Sequence, residues 1–186
     1  MTKSKTKRKK IKTLSSKIVY KDKLITVRRN DLIGFDGKKI KWTLVEKVDF
    51  IHVIPKVKDR FCLVKQYRYA VKQQSWEFPQ GSLEKRENPR KAARRELEEE
   101  TGLKAKKLQS LGYLWLGCGQ FTQGFTVFLA EDCRPGKQKL EGFEKENMKV
   151  NFFTFHQVFD MIKSGLIKDS QTVAAMNLYL CRDKKK

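Results

Sequence analysis

The sequence predicts a mixed α/β fold, a sheet between helices with a small antiparallel β-sheet ahead of it. Three observations carry that expectation. Short β-branched and aromatic runs recur between turn residues, one strongly capped helix stands mid-chain, and two more helical segments close the chain without any internal repeat. The 186 residues are 39% hydrophobic and 11% aromatic, enough for a packed core, which excludes a fully disordered polypeptide. At usual domain sizes this is one domain with an appendage.

Residues 1–17 lack apolar periodicity and read as a disordered basic tail. Residues 18–45 hold Ile18–Tyr20, Leu24–Val27 and Ile40–Val45, β-type runs that form the small N-terminal sheet. Turns are expected at Arg29–Asp31 and Phe35–Lys38. Phe50–Ile54, Phe61–Lys65 and Ser75–Phe78 form a second set of strands. Pro55 and Pro79 are expected to stop two of them, since proline gives no ladder donor. Pro89–Thr101 is the clearest helix, with Asn88 as N-cap, Pro89 in the first turn and Gly102 as stop. Ala93 and Leu97 mark its core stripe. Strands follow at Leu111–Leu116, Phe125–Leu129 and Val150–Phe155, with a charged loop over Pro135–Glu146. Helices at Gln157–Ser164 and Ser170–Leu180 flank Gly165. Residues 183–186 form a basic C-terminal tail.

Lys and Arg number 42 against 21 Asp and Glu, a net charge of +21. Eight of the basic residues lie in residues 1–17, which contain no acid, so the remainder is basic as well. Such a surface attracts polyanions or phosphate-bearing small molecules. No apolar run reaches the roughly 20 residues of a membrane span, and the basic N-terminus lacks the apolar block of a secretory signal. Cys62, Cys118, Cys133 and Cys181 are widely spaced, which fits neither a zinc site nor a disulfide scaffold. They read as reduced thiols of a cytoplasmic protein.

The chemistry concentrates on the Pro89–Thr101 helix. Glu96, Glu99 and Glu100 stand at i, i+3 and i+4, so three carboxylates project from one face and repel one another. A cation must offset that repulsion, and hard carboxylate oxygens suit Mg²⁺ or Mn²⁺. Upstream, Gly81 is followed after five residues by Glu87. Seven residues later comes Arg95-Glu96-Leu97-Glu98-Glu99-Glu100-Thr101-Gly102-Leu103. This run resembles the Nudix box, G-x5-E-x7-R-E-U-x-E-E-x-G-U with U aliphatic, at all nine constrained positions over 23 residues. The resemblance implies a Nudix-type α/β/α sandwich that cleaves a nucleoside diphosphate linked to another moiety with the help of divalent cations. It implies Glu96, Glu99 and Glu100 as metal ligands, with the Gln80 carbonyl as a further one. Glu87 and Arg95 are expected to hold the loop against the helix. Gly81 permits backbone to approach a metal or phosphate.

Outside the box the chain resembles the ADP-ribose and nucleotide-sugar pyrophosphatases. The matching pieces are Val64-Lys65-Gln66-Tyr67-Arg68, Trp76-Glu77-Phe78-Pro79-Gln80-Gly81 and Ser164-Gly165-Leu166-Ile167-Lys168-Asp169. The resemblance spans most of residues 40–182, the hydrolase domain being taken as 46–182, and implies a homodimer built through the N-terminal sheet. Arg68 and Glu77 become substrate contacts, and Trp42 a face on which a base can stack. A catalytic loop is implied at Glu144-Lys145-Glu146, with Glu144 as general base, Glu146 as alternative base or metal ligand and Glu141 as competitor. Glu99 is catalytic through the metal. Gly117-Cys118-Gly119, Thr122-Gln123 and Trp42-Thr43 depart from the subfamily pattern and leave the base open. The alternative reading is an RNA-directed member, for decapping or RNA binding, with weak nucleic-acid binding through the basic tail.

Overall fold

The structure is a computed structural model and describes residues 10–182. It divides into two units, residues 10–48 with 117–123, and residues 49–116 with 124–182.

The first unit is a three-stranded antiparallel sheet of β1 (Lys12–Lys21), β2 (Thr26–Ile33) and β3 (Lys39–Glu46), in that order. Asp22 makes the first turn, its carboxylate accepting from the N–H groups of Leu24 at 2.7 Å and Ile25 at 2.8 Å. Gly37, at φ +84°, makes the second. Segment 117–123 runs along β3: Val45 N–H donates to the Gln120 carbonyl at 2.8 Å and Thr122 N–H to the Val45 carbonyl at 3.1 Å.

Two expectations are corrected here. β1 begins at Lys12, inside the stretch expected to be disordered, because Thr13, Ser15 and Ser16 complete a ladder with β2 that their own polarity does not advertise. Arg29–Asp31 is strand rather than turn. Asn30 pairs with Trp42, and Asp31 accepts from the Ser15 hydroxyl at 2.7 Å, so cross-strand partners override turn propensity. The rest of the proposed tail, residues 1–9, and the C-terminal residues 183–186 lie outside the described residues.

The second unit is built on a mixed sheet of β10 (Lys149–Thr154), β5 (Arg60–Arg68), β4 (Phe50–Val57), β9 (Gly124–Pro135) and β8 (Leu103–Trp115), in that order. β6 (Gln73–Glu77) pairs with β5 and β7 (Gln80–Ser82) with β4. Only β4 and β9 run parallel. Strand alternation sorts the core into two layers. Ile51, Val53, Cys62, Phe128 and Ala130 pack with Ala92, Ala93 and Leu97 of α1 (Pro89–Thr101). Phe50, Ile54, Phe61, Leu63, Val127 and Leu129 pack with α3 (Phe155–Lys163) and α4 (Ser170–Cys181) through Val158, Met161, Ala175 and Met176. The result is the expected α/β/α sandwich.

Pro55 does not stop β4. It pairs in register with Ala130 and falls between the span of β4 that meets β7, Phe50–His52, and the span that meets β5, Lys56–Val57. Its missing N–H would point the same way as that of Val53, toward an edge that neither strand lines at that point. Pro79 does follow the end of β6, and its carbonyl accepts from Val53 N–H at 2.8 Å. The charged loop ends in a short helix, α2 (Glu144–Asn147), so the E-x-E pair is helical rather than looped.

Candidate active site

α1 is positioned by its caps. Asn88 accepts from Arg90 N–H at 2.9 Å, and Gly102, left-handed at φ +69°, donates its N–H to the Glu98 carbonyl at 2.8 Å. With Ala92, Ala93 and Leu97 fully buried against the sheet, the remaining face presents Arg95, Glu96, Glu99 and Glu100.

Arg95 answers the repulsion the sequence posed. Its Nε and Nη2 form a fork on Glu87, at 3.1 and 2.9 Å, while Nη1 reaches Glu96 at 2.7 Å and Glu99 at 3.1 Å. Nη2 also donates to the Ser82 carbonyl at 3.3 Å. Glu87 in turn accepts from Glu84 N–H at 3.0 Å, which fixes the connection between β7 and α1. The Arg95 hydrogen bonds outweigh burial and hold the Glu87 carboxyl below its ordinary range. Glu87 correspondingly raises the Arg95 pKa against the opposing effect of burial.

Gly81 sits against this face so closely that a Cβ there would lie 1.9 Å from the Glu96 carboxyl carbon. A side chain at 81 would displace the Glu96 carboxylate from the position it holds. Next to it, Gln80 N–H points to Glu100 Oε2 at 3.3 Å, and Gln80 Nε2 donates to Glu77 at 2.7 Å. Glu100 is only 3% exposed. These oxygens suit a hard divalent ion. Glu96 is held in the cradle that Gly81 leaves, and the residues present fit such an ion. The acids are spread along the helix under Arg95, and among the described residues no three His, Cys, Asp or Glu side chains form a ready metal cluster.

Arg68 and Glu77, both expected at the substrate, are brought together and bond to each other. Arg68 Nε donates to both Glu77 oxygens at 3.0 and 3.1 Å, and Nη2 makes a further short contact. Glu77 is 2% exposed. Burial pushes its carboxyl up, but the Arg68 hydrogen bonds and charge prevail and hold it below the usual range. Glu77 therefore orients Arg68 and Gln80 from beneath. Glu146 is exposed in α2, and Glu141 precedes it in the exposed loop. The side chain of Glu144 lies outside the described residues; its backbone opens α2. Phe143, its neighbour, lies 6.3 Å ring to ring from Tyr67, the residue beside Arg68. Trp42 belongs to the N-terminal unit, where its indole N–H donates to the Gly119 carbonyl at 3.0 Å.

Sequence reasoning missed the buried support of the Phe78–Gly81 turn. Thr172 of α4 accepts from Phe78 N–H at 3.1 Å through its hydroxyl, which also lies 3.3 Å from His52 Nε2. Asp169 caps that helix by accepting from Thr172 N–H at 2.8 Å. His52 is fully buried, and desolvation lowers its pKa to about 4 despite the nearby Glu77 charge, so it is neutral. A histidine inside the apolar run Phe50–Ile54 was the available signal. Cys62 supplies no nucleophile, because burial pushes its thiol up to about 12.

Residues 46–175 match the model of the NUDIX domain. The chain is 31% identical to an ADP-ribose pyrophosphatase of Bacillus subtilis (strain 168) over 166 residues, covering 89% of this chain and 90% of that one. It is 25% identical to the ADP compounds hydrolase NudE of Escherichia coli (strain K12), covering 91% and 90%. A crystal structure of an ADP compounds hydrolase superposes with a TM-score of 0.82 at 24% identity, over 91% of this chain and 92% of that chain, a likeness of fold.

Proposed function

We infer that this chain, which belongs to the NUDIX domain family, hydrolyses the pyrophosphate bond of ADP-ribose or a nucleotide sugar. One observation carries this reading: Gly81 is interlocked with Glu96 while Arg95 gathers Glu87, Glu96 and Glu99 around it. The nature of the curated relatives supports the substrate class.

Glu96, Glu99, Glu100 and the Gln80 carbonyl would hold Mg²⁺ or Mn²⁺, with Glu146 as a further ligand. When bound, such an ion polarises the phosphate and lowers the pKa of a coordinated water. The residues of the chain do the rest. Arg68 spends Nε and Nη2 on Glu77, which leaves Nη1 for a phosphate oxygen. Glu77 acts on substrate through Arg68. Gly81 lets the phosphates approach the backbone. Glu144 takes the proton of the attacking water, with Glu146 as its alternative, and Glu99, 38% exposed, orients that water. The water oxygen bonds to one phosphorus and the bridging P–O bond breaks. ADP-ribose then gives AMP and ribose 5-phosphate, and a nucleotide sugar gives NMP and a sugar 1-phosphate. Trp42, 44% exposed, is our candidate for stacking on a base.

Ile18, Leu32, Ile40, Trp42 and Leu44 fall on one face of the N-terminal sheet by register, and no strand of that sheet has a fully buried apolar residue. We propose that this face forms a homodimer. Among the described residues no helix is long and apolar enough to cross a membrane. The four cysteines are free thiols, and a cytoplasmic setting is our reading of them.

The test is product release from ADP-ribose, several nucleotide sugars, diadenosine polyphosphates, nucleoside triphosphates and capped RNA, each with Mg²⁺ and with EDTA. Turnover of ADP-ribose or a nucleotide sugar that EDTA abolishes is the expected result. Turnover of capped RNA alone, or turnover indifferent to EDTA, overturns the reading.

A further inference from the structure

We propose that the other face of the N-terminal sheet binds the phosphate backbone of nucleic acid. Register places Lys12, Lys17, Arg29, Lys39 and Lys41 together on that face: Lys17 lies opposite Arg29, Lys41 opposite Asp31, and Lys12 and Lys39 both in the row of Ile33. All five are exposed, and among the described residues none forms an ion pair. The one acid on the face, Asp31, accepts from Ser15.

The arrangement has a cost. Like charges directly opposite each other on a sheet are destabilising, and Lys17 and Arg29 stand so. Lysines on edge strands also guard against aggregation, but that purpose requires neither Arg29, on the central strand, nor a bias to one face. The apolar face carries Arg28, which Glu46 neutralises at 2.8 Å, and Lys21 only at its end. The cations are therefore sorted by face. Neighbouring strands lie about 4.8 Å apart, and alternate residues about 6.7 Å apart along a strand. That spacing sets roughly one cation for every two phosphates of a strand with a 3.4 Å repeat. A second copy of this chain is a poor occupant, because two such faces would repel.

The experiment is fluorescence anisotropy of labelled single-stranded RNA and of duplex DNA with the full chain across a salt series. Three proteins are compared: wild type, the triple variant Lys17→Gln, Arg29→Gln, Lys41→Gln, and a variant with the basic residues of positions 3–10 changed to Gln. Circular dichroism and ADP-ribose turnover report whether each remains folded and active; the three substituted residues take no part in the catalytic chemistry above. The expected result is that the triple variant binds at least tenfold more weakly, with a salt slope shallower by about 2–3, since each phosphate contact contributes roughly 0.7–0.9. The tail variant retains most of the binding. Three outcomes overturn the proposal: a triple variant that binds as tightly as wild type, binding lost only with the tail, or binding to phosphatidylserine vesicles with none to nucleic acid.

Discussion

The two units hold their residues in opposite ways. From Phe50 onward the second unit buries two apolar layers, with Ile51, Val53, Ile54, Leu63, Val127 and Leu97 fully hidden. The N-terminal sheet buries no apolar residue, and Ile18, Tyr20, Ile40 and Trp42 remain 39–52% exposed. The contrast separates two uses of β-structure. In the second unit, packing fixes side chains tightly enough to give the α1 carboxylates defined partners. In the first, the strands are ladders whose faces remain available to other molecules.

Glu100→Gln tests the packed unit most severely. It keeps the shape of the side chain, so the fold survives, while turnover of ADP-ribose drops about a thousandfold, roughly 4 kcal/mol of transition-state stabilisation. Unchanged turnover would remove Glu100 from the site. Arg68→Met comes next. It strands the buried Glu77 carboxylate without its partner and should cost about 3 kcal/mol at neutral pH, readable as a lower urea midpoint; Glu77→Gln beside it should recover part of the loss.

His52 gives a pH signature of similar or smaller size. Its folded pKa of about 4 lies below the unfolded value of roughly 6.5. The unfolded chain therefore takes up the proton first as pH falls. The contribution is fully present above pH 6.5 and is lost progressively down to about pH 4, on the order of 3 kcal/mol in all. Against wild type, His52→Gln should flatten that part of the stability profile; parallel profiles would show that His52 is not the titrating group. The smallest effect is expected in the open unit. Ile18→Asp should change stability by less than about 1 kcal/mol and leave turnover intact, while light scattering reports half the mass. A loss of several kcal/mol would mean that this sheet is as tightly packed as the other.

The same contrast decides what could be read from sequence. α1 was legible to the residue, because Asn88, Pro89 and Gly102 act locally and each does what its chemistry dictates. The strands of the second unit were legible in place but short in extent, since Leu103–Leu108 and Ala130–Pro135 acquire strand geometry only from each other. The first unit was least legible: Thr13, Ser15, Ser16, Asn30 and Asp31 are polar, and their order comes from partners far along the chain. At the site, the Nudix-like spacing pointed to the acids of α1, but the mutual bonding of Arg68 and Glu77 and the His52–Thr172 support depend on which strands become neighbours. No spacing rule encodes that.

Arg95 has a consequence for the order of assembly. Two acids of α1 have their counter-charge on the same helix, Arg95 lying one residue from Glu96 and four from Glu99, and Glu87 joins it from eight residues away. Part of the repulsion along this stretch is thus offset by contacts of short range, which carry little loop-closure cost. On the reading proposed above, a divalent ion would meet a helix already formed and exchange with a tethered guanidinium instead of nucleating structure, which would make folding and loading of the site separate events.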